Sequence, residues 1–317
     1  MIWETINQKI QAAGNILILN PKDSDGDSLG SSLALAHYLK SLEKPHLVFA
    51  AKPPSSQLDY LPGFEEISSD LGSLDLNSFD LVIAVDFADL KMLGFAPELI
   101  GKLLKKTIIN IDHHPTNFRY GQINVVEPTA AATSELLFYF FEDLNLPYDK
   151  LIATCLLSGI IHDTGSFAHL NTTPSVIEIS ARLLVKGARL KTITAYAQNK
   201  SLPTLKLWGV ALSRLTHNQR YGLSTTVITQ KDLAGLNTNG EATEGIANFL
   251  NNLTEAKAIM VLKEDSDGRI RGSLRTTTSG VDVSRLAALL GGGGHKKASG
   301  FNLRGKLIHT GRYWQIV

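Results

Sequence analysis

Four places in this 317-residue chain carry side chains able to do chemistry: Asp25-Gly26-Asp27, Asp86, Asp112-His113-His114 and Asp163. Carboxylates mixed with one or two imidazoles bind hard or borderline divalent cations, and suit Mn²⁺ or Mg²⁺ better than structural Zn²⁺, which prefers cysteine and histidine. Two such ions roughly 3.5–4 Å apart share a bridging carboxylate and hydroxide and neutralise an in-line phosphoryl transition state. Aspartates at i and i+2 with a flexible glycine between, as in Asp25-Gly26-Asp27, can send one carboxylate to each ion. Each run alone has a plainer role. An Asp-x-Asp in a loop caps a helix or builds a turn, Asp86 and Asp163 cap strand-to-helix turns, and paired histidines on a loop are solvated. The metal reading rests on their joint order.

The elements that must position these residues alternate between strand and helix. Asn15-Ile-Leu-Ile-Leu, His46-Leu-Val-Phe-Ala-Ala, Leu81-Val-Ile-Ala-Val and Thr107-Ile-Ile-Asn-Ile are short continuous apolar runs, the pattern of strands buried on both faces. Helical spacing follows the first of them, with Leu29, Leu33, Ala36 and Leu39 on one stripe. The expected fold is α/β, a parallel sheet with helices on both faces, which binds ligands at the carboxyl ends of its strands. Asp25 and Asp27 fall in the loop after the first strand, Asp86 and Asp112 directly after later ones. A further apolar run, Leu156-Leu-Ser-Gly-Ile-Ile, delivers Asp163 to the same edge.

Regularity weakens between Gly187 and Pro203, so residues 1–187 read as a metal-binding catalytic domain and 188–204 as a linker. Residues 205–317 read as a second, smaller α/β unit. This second unit has a helix around Leu207–Leu215, strands near Leu223–Thr229, Lys257–Lys263 and Arg269–Arg275, and helices at Glu244–Leu253 and Val283–Leu290. Its Gly291-Gly-Gly-Gly294 run reads as a flexible turn or as a row of backbone N–H groups open to an anion.

Composition narrows the substrate. Lys plus Arg number 31 and Asp plus Glu 30, a net charge of +1, so no global field draws in a long polyanion and a local patch must recognise any nucleic acid. Cys155, the single cysteine, lies in an apolar run and reads as a buried, inert thiol. The N-terminus lacks a signal-peptide pattern and no run reaches the ~20 apolar residues of a membrane span. The expected location is the cytoplasm, with no membrane partner; the oligomeric state stays open, a homodimer among the options.

Taken in order, Ser24-Asp-Gly-Asp-Ser-Leu-Gly-Ser31, Ala84-Val-Asp-Phe-Ala-Asp89, Ile111-Asp-His-His-Pro-Thr-Asn117 and Gly159-Ile-Ile-His-Asp-Thr-Gly-Ser-Phe167 resemble the motifs of the DHH phosphoesterase superfamily. The branch they resemble holds RecJ-type exonucleases and the smaller nano-RNases that also act on 3′-phosphoadenosine 5′-phosphate. Gly272-Ser-Leu-Arg-Thr276 and Gly292-Gly-Gly-His-Lys-Lys-Ala-Ser-Gly-Phe301 resemble the DHH-associated substrate domain. The resemblance implies that Asp25 and Asp86 ligate one ion, and that Asp27, Asp86, His113 and Asp163 ligate the other, with Asp86 bridging. Asp112 would orient a ligating imidazole and His114 would face the scissile phosphate. Arg275 would bind phosphate in bidentate fashion, beside Gly292, Gly293, Gly294 and His295.

The implied activity is hydrolysis of short single-stranded oligonucleotides or nucleotide phosphomonoesters by a hydroxide activated on two ions, Mn²⁺ or Mg²⁺. A phosphodiesterase for cyclic or linear dinucleotides is the alternative. One departure stands out: the family's first motif begins with a histidine four residues before the first aspartate, and here that position is Pro21. Either Asp23 or Asn20 supplies a replacement oxygen donor, or the first ion is weakly held. A nucleotide-binding protein with impaired catalysis is the reading from another class, and it rests on Pro21.

Overall fold

A computed structural model describes residues 2–198, 200–238, 240–311 and 313–317. The chain divides into two units, Met1–Gln198 and Asn199–Val317.

The first unit begins with α1 (Ile2–Ala12), β1 (Ile16–Asn20), α2 (Gly26–Ser41) and β2 (His46–Ala50). After a stretch of short 3₁₀ turns come β3 (Leu81–Val85), α3 (Pro97–Leu103), β4 (Thr107–Asp112) and β5 (Ile123–Val126). Four helices complete it: α4 (Thr133–Asp143), α5 (Lys150–Asp163), α6 (Pro174–Val185) and α7 (Leu190–Gln198). The five strands form one parallel sheet in the order β2-β1-β3-β4-β5. Alternate strand residues enter different cores. Ile16, Ile18, Ile83, Val85 and Ile109 pack with α1, α2, α4 and α5 residues, whereas Leu17, Leu19, Val82, Ala84 and Ile108 pack with Leu90, Leu93 and Leu103. Both faces are covered, which is why these strands read as unbroken apolar runs. Cys155 is fully buried in α5, and burial pushes its thiol pKa up.

Two expectations are corrected here. The Leu156–Ile161 run belongs to helix α5, and Asp163 sits on its last turn rather than at a strand end. A helix buried all round shows the same unbroken apolar run as a central strand, so periodicity could not separate them. The linker expected at 188–204 contains α7 and the start of the next helix. Ser201, whose side chain accepts the Thr204 N–H, caps that helix, and Pro203 lies in its first turn. Proline there marks a helix start rather than a linker.

The second unit carries α8 (Leu202–Ser213), β6 (Thr216–Asn218), β7 (Leu223–Ile228), α9 (Gln230–Gly235), α10 (Ile246–Leu250) and β8 (Ala258–Glu264). It continues with β9 (Arg269–Arg275), α11 (Val283–Leu289), β10 (Gly293–Gly294) and β11 (Ala298–Arg304), and ends in a small β12–β13 ribbon (Leu307–His309, Trp314–Ile316). Its sheet runs β10-β11-β9-β8-β7-β6, antiparallel except for β7 beside β8.

Candidate metal centre

In the first unit the chain leaves β1 to one side for β2 and then returns to the other side as β3. The reversal opens a switch point at the carboxyl ends of β1 and β3, the place where such sheets bind ligands. Asp25 caps α2 just past β1: its Oδ1 accepts the Asp27 and Ser28 N–H groups at 3.0 Å each, and the Ser28 hydroxyl takes the Asp25 N–H in return. Asp25 therefore does the cap's ordinary work and still presents Oδ2. Asp86 follows β3 directly, in the left-handed region at φ 63° that aspartate tolerates better than most residues.

Asp27 is fully buried at the head of α4, where its carboxylate accepts the Thr133 N–H (2.6 Å) and the Ser134 N–H (2.9 Å). The helix N-terminus favours that negative charge, yet burial and the neighbouring Asp163 push Asp27 up to about 6. Asp86 is driven well above the carboxylate range, first by burial and then by repulsion from Asp27, Asp25 and Asp163. Carboxylates crowded in a dry site against their own charge call for a cation. The donor set of carboxylate oxygens with imidazole fits a hard or borderline divalent ion.

His113 brings positive charge into this crowd. Its Nδ1–H donates to the Ala130 carbonyl (3.3 Å), so Nε2 is the nitrogen turned to Asp163 Oδ2 (3.1 Å) and Asp86 Oδ1 (3.6 Å). Burial opposes a charge on His113, but the bond to Asp163 outweighs it and raises the ring to about 10. The same bond overcomes burial in Asp163 and lowers that carboxyl. The charge on His113 thus offsets part of the repulsion among these carboxylates.

Asp112 lies at the end of β4, fully buried and saturated. Its Oδ1 accepts the His113 N–H (2.8 Å), the His114 N–H (3.2 Å) and the His114 Nδ1–H (2.6 Å), and its Oδ2 accepts from Asn117 Nδ2 (2.6 Å). Burial acts to raise it, and the His114 bond with its companions brings it below the usual range. Asp112 was expected to orient a ligating imidazole; the ring it holds is that of His114, and it reaches His113 only through the main chain. Asn117, given no role from the sequence, clamps this carboxylate and also donates to the Phe87 carbonyl.

Among the described residues, three groups of donor atoms gather closely enough to hold an ion: Asp27 with His113 and Asp163, Asp25 with His162 and Asp163, and Asp86 with His113 and His114. The last is the poorest, because His114 Nδ1 is engaged by Asp112. The five residues expected as ligands, Asp25, Asp27, Asp86, His113 and Asp163, all fall in these groups together with His114, and His113 and Asp163 are each common to two. The two proposed replacements for the residue missing at Pro21 do not join them. Asn20 is fully buried, with Oδ1 accepting from Ser32 (2.9 Å) and Nδ2 reaching the Phe49 carbonyl, and Asp23 is exposed and pairs with Lys52 (3.4 Å). The Asn20 side chain is spent on holding its own strand and helix, and Asp23 faces solvent and belongs to none of the three groups. Sequence reasoning passed over His162, whose only signal was adjacency to Asp163. Gly26 was expected as a flexible spacer and is instead the first residue of α2, where a Cβ would stand 2.8 Å from the His162 side chain.

In the second unit Arg275 ends β9, with Nε donating to Asn248 Oδ1 (2.7 Å) and a terminal nitrogen to the Leu274 carbonyl (2.9 Å). The glycine run is neither a free turn nor an open row of donors. The Gly291, Gly292 and His295 N–H groups go to the Ala288, Ala287 and Ala298 carbonyls, and Gly293-Gly294 pairs with Gly300 and Ser299. Gly292 is fixed by space, since a Cβ there would lie 2.0 Å from the Gly300 carbonyl oxygen.

Residues 15–160 match the DHH family N-terminal domain, and residues 223–309 match the DHHA1 domain. The bifunctional oligoribonuclease and PAP phosphatase NrnA of Thermus thermophilus is 33% identical over 292 residues, which is 92% of this chain and 85% of that protein. The protein of the same name from Bacillus subtilis is 24% identical over 282 residues, 88% and 86% of the two chains. The solved structure of an exopolyphosphatase-related protein from Bacteroides fragilis aligns with a TM-score of 0.87 at 26% identity, covering 96% of this chain and 92% of that one. The chain belongs to the DHH family and pairs a DHH domain with a DHHA1 domain. Among the described residues no helix is long and apolar enough to cross a membrane.

Proposed function

We propose that this chain is a metal-dependent phosphoesterase that hydrolyses short oligonucleotides and 3′-phosphoadenosine 5′-phosphate, with Mn²⁺ or Mg²⁺ as its ions and the cytoplasm as its compartment. The observation that carries the reading is the buried pair Asp27 and Asp86, both held above the carboxylate range, facing His113 and Asp163 at the sheet's switch point. Relatives named for oligoribonuclease and PAP phosphatase activity over nearly the full length support the substrate class.

Asp27, Asp86, His113 and Asp163 would hold one ion, and Asp25 with Asp86 the other. When bound, the ions polarise the phosphoryl group and lower the pKa of the attacking water. The remaining roles fall to the chain itself. Ala130 and Thr133 fix the His113 ring and the Asp86 carboxylate, so that each donor is oriented before ions arrive. Asp112 anchors His114 through Nδ1, leaving Nε2 as the nitrogen that meets the phosphate oxygens or the leaving group. In the second unit the side chains of Arg275 and His295 are the groups for recognition of phosphate or base, while Gly292, Gly293 and Gly294 shape the hairpin that carries His295.

The test is turnover of a panel in Mn²⁺ or Mg²⁺: a dinucleotide, 3′-phosphoadenosine 5′-phosphate, a cyclic dinucleotide and pyrophosphate. The first two are expected to be cleaved, and Asp86→Ala is expected to abolish cleavage. Nucleotide binding with no turnover of any substrate would establish the non-enzymatic reading instead. Preference for the cyclic dinucleotide would move the assignment to the alternative phosphodiesterase.

A further inference from the structure

We infer that His162 is the nitrogen ligand of the ion at Asp25, taking the part that Pro21 cannot play. The inference rests on the two-ion reading above and names a donor that reading lacks. His162 Nε2 stands 3.7 Å from Asp25 Oδ2, and both group with Asp163. Two donors on one ion, each bonded at about 2.0–2.2 Å, stand roughly 3–4 Å apart, so the pair is spaced as ligands of a single cation.

The surroundings select these atoms. Asp25 Oδ1 is committed to capping α2, and it is the other oxygen, Oδ2, that faces the imidazole. His162 rides on the last turn of α5, where the helix dipole favours positive charge. Side chains of both residues are 47% exposed, so an ion can reach them from solvent. The approach of α5 to α2 depends on residues without a Cβ. At Gly26 a methyl group would stand 2.8 Å from His162, and at Gly30 it would stand 2.5 Å from the Cys155 carbonyl oxygen. The helices are thereby close enough for His162 to lie against the first turn of α2. Pro21 offers no donor atom from its side chain, Asn20 and Asp23 are engaged elsewhere, and His162 supplies the imidazole from a different element.

The experiment is Mn²⁺ binding to the full-length protein, followed by electron paramagnetic resonance of the free ion, for wild type, His162→Ala, His162→Gln and Gly26→Ala. Since disturbing an outer-shell partner already costs about 10–100-fold in metal affinity, loss of a direct donor should weaken one of the two sites at least about tenfold. The other site should keep wild-type affinity. Gly26→Ala, which leaves the imidazole in the chain but pushes it aside, should reproduce the loss. His162→Gln keeps the side chain's bulk and answers the same question if His162→Ala does not fold, and melting in chelator reports folding of each. Two sites of wild-type affinity in a folded His162 variant would overturn the inference while leaving the two-ion reading intact. Fewer than two ions on the wild type would overturn that reading and the inference with it.

Discussion

The His114 Nδ1–H donates to Asp112 Oδ1 at 2.6 Å, and that single oxygen also takes the backbone N–H groups of His113 and His114. One buried carboxylate thus sets the ring of the second histidine and the main chain of both. Replacing Asp112 with Asn puts an amide where only acceptors fit, so some of these donors lose their partner. The expected result is a fall in kcat of about 10–100-fold, the usual effect of removing an orienting partner. A loss of stability of about 1–3 kcal/mol from the unsatisfied buried donors should accompany it. Steady-state kinetics on a dinucleotide and thermal melts measure the two; unchanged kcat would refute the positioning role.

Metal removal should make stability depend on pH in a direction to which Asp27, Asp86 and His113 all contribute, since the fold raises all three. Asp27 is raised from its ordinary 3.8 to about 6 in the fold, so the folded state binds this proton more tightly than the unfolded chain. The stabilisation from that proton is complete below about 3.8 and is lost as pH rises through about 6. His113, raised from 6.5 to about 10, contributes stability that is complete below 6.5 and lost as pH climbs toward 10. In chelator the melting temperature should therefore fall steadily from pH 5 to pH 9, and Asp27→Asn should flatten the lower part of the curve. Adding Mn²⁺ should raise stability, by about 2.7 kcal/mol per site at a hundredfold excess over Kd. A metal-free protein whose stability rises with pH over this range would contradict the electrostatics of the site.

Adjacent glycines of the second unit should answer differently to the same change. Gly292→Ala forces a methyl to within 2.0 Å of the Gly300 carbonyl oxygen and 2.6 Å of Phe301 Cα, backbone atoms that cannot swing aside. A Cβ at Gly293 meets nothing within 4 Å. Overpacking of this kind costs about 1–3 kcal/mol, so denaturant melts should show that loss for Gly292→Ala and a much smaller change for Gly293→Ala. Equal effects would mean that the hairpin does not pack as described.

Cys155 gives a simple readout of the α5 core. Its side chain is fully buried and its thiol pKa is raised by that burial, so almost no thiolate is present near neutral pH. Alkylation by iodoacetamide should be negligible in the native protein and complete in denaturant, and mass spectrometry would show it. Rapid native labelling would mean that α5 opens locally.

Much of this protein was legible before it folded. The buried strands announced themselves as unbroken apolar runs because both faces of a parallel sheet are covered, and their register along the chain placed Asp25, Asp86 and Asp112 at one edge. The helix carrying Asp163 was not legible as a helix, because burial on all sides erases the 3.6-residue period that would have marked it. The Ser201 cap and Pro203 were present in the sequence as a helix start, and their polarity made them look like a linker.

What the residues determined by themselves was a set of donors and the sheet edge that gathers them, since both follow from local patterns of type and spacing. Which donor meets which was decided only in three dimensions. Asp112 holds His114 rather than His113 because β4 ends with its carboxylate under the following two backbone amides. His162 comes to Asp25 across more than a hundred residues of chain, because Gly26 and Gly30 let α5 settle onto α2. Contacts of that kind depend on how closely two helices can approach, and that is fixed by the atoms on both surfaces at once.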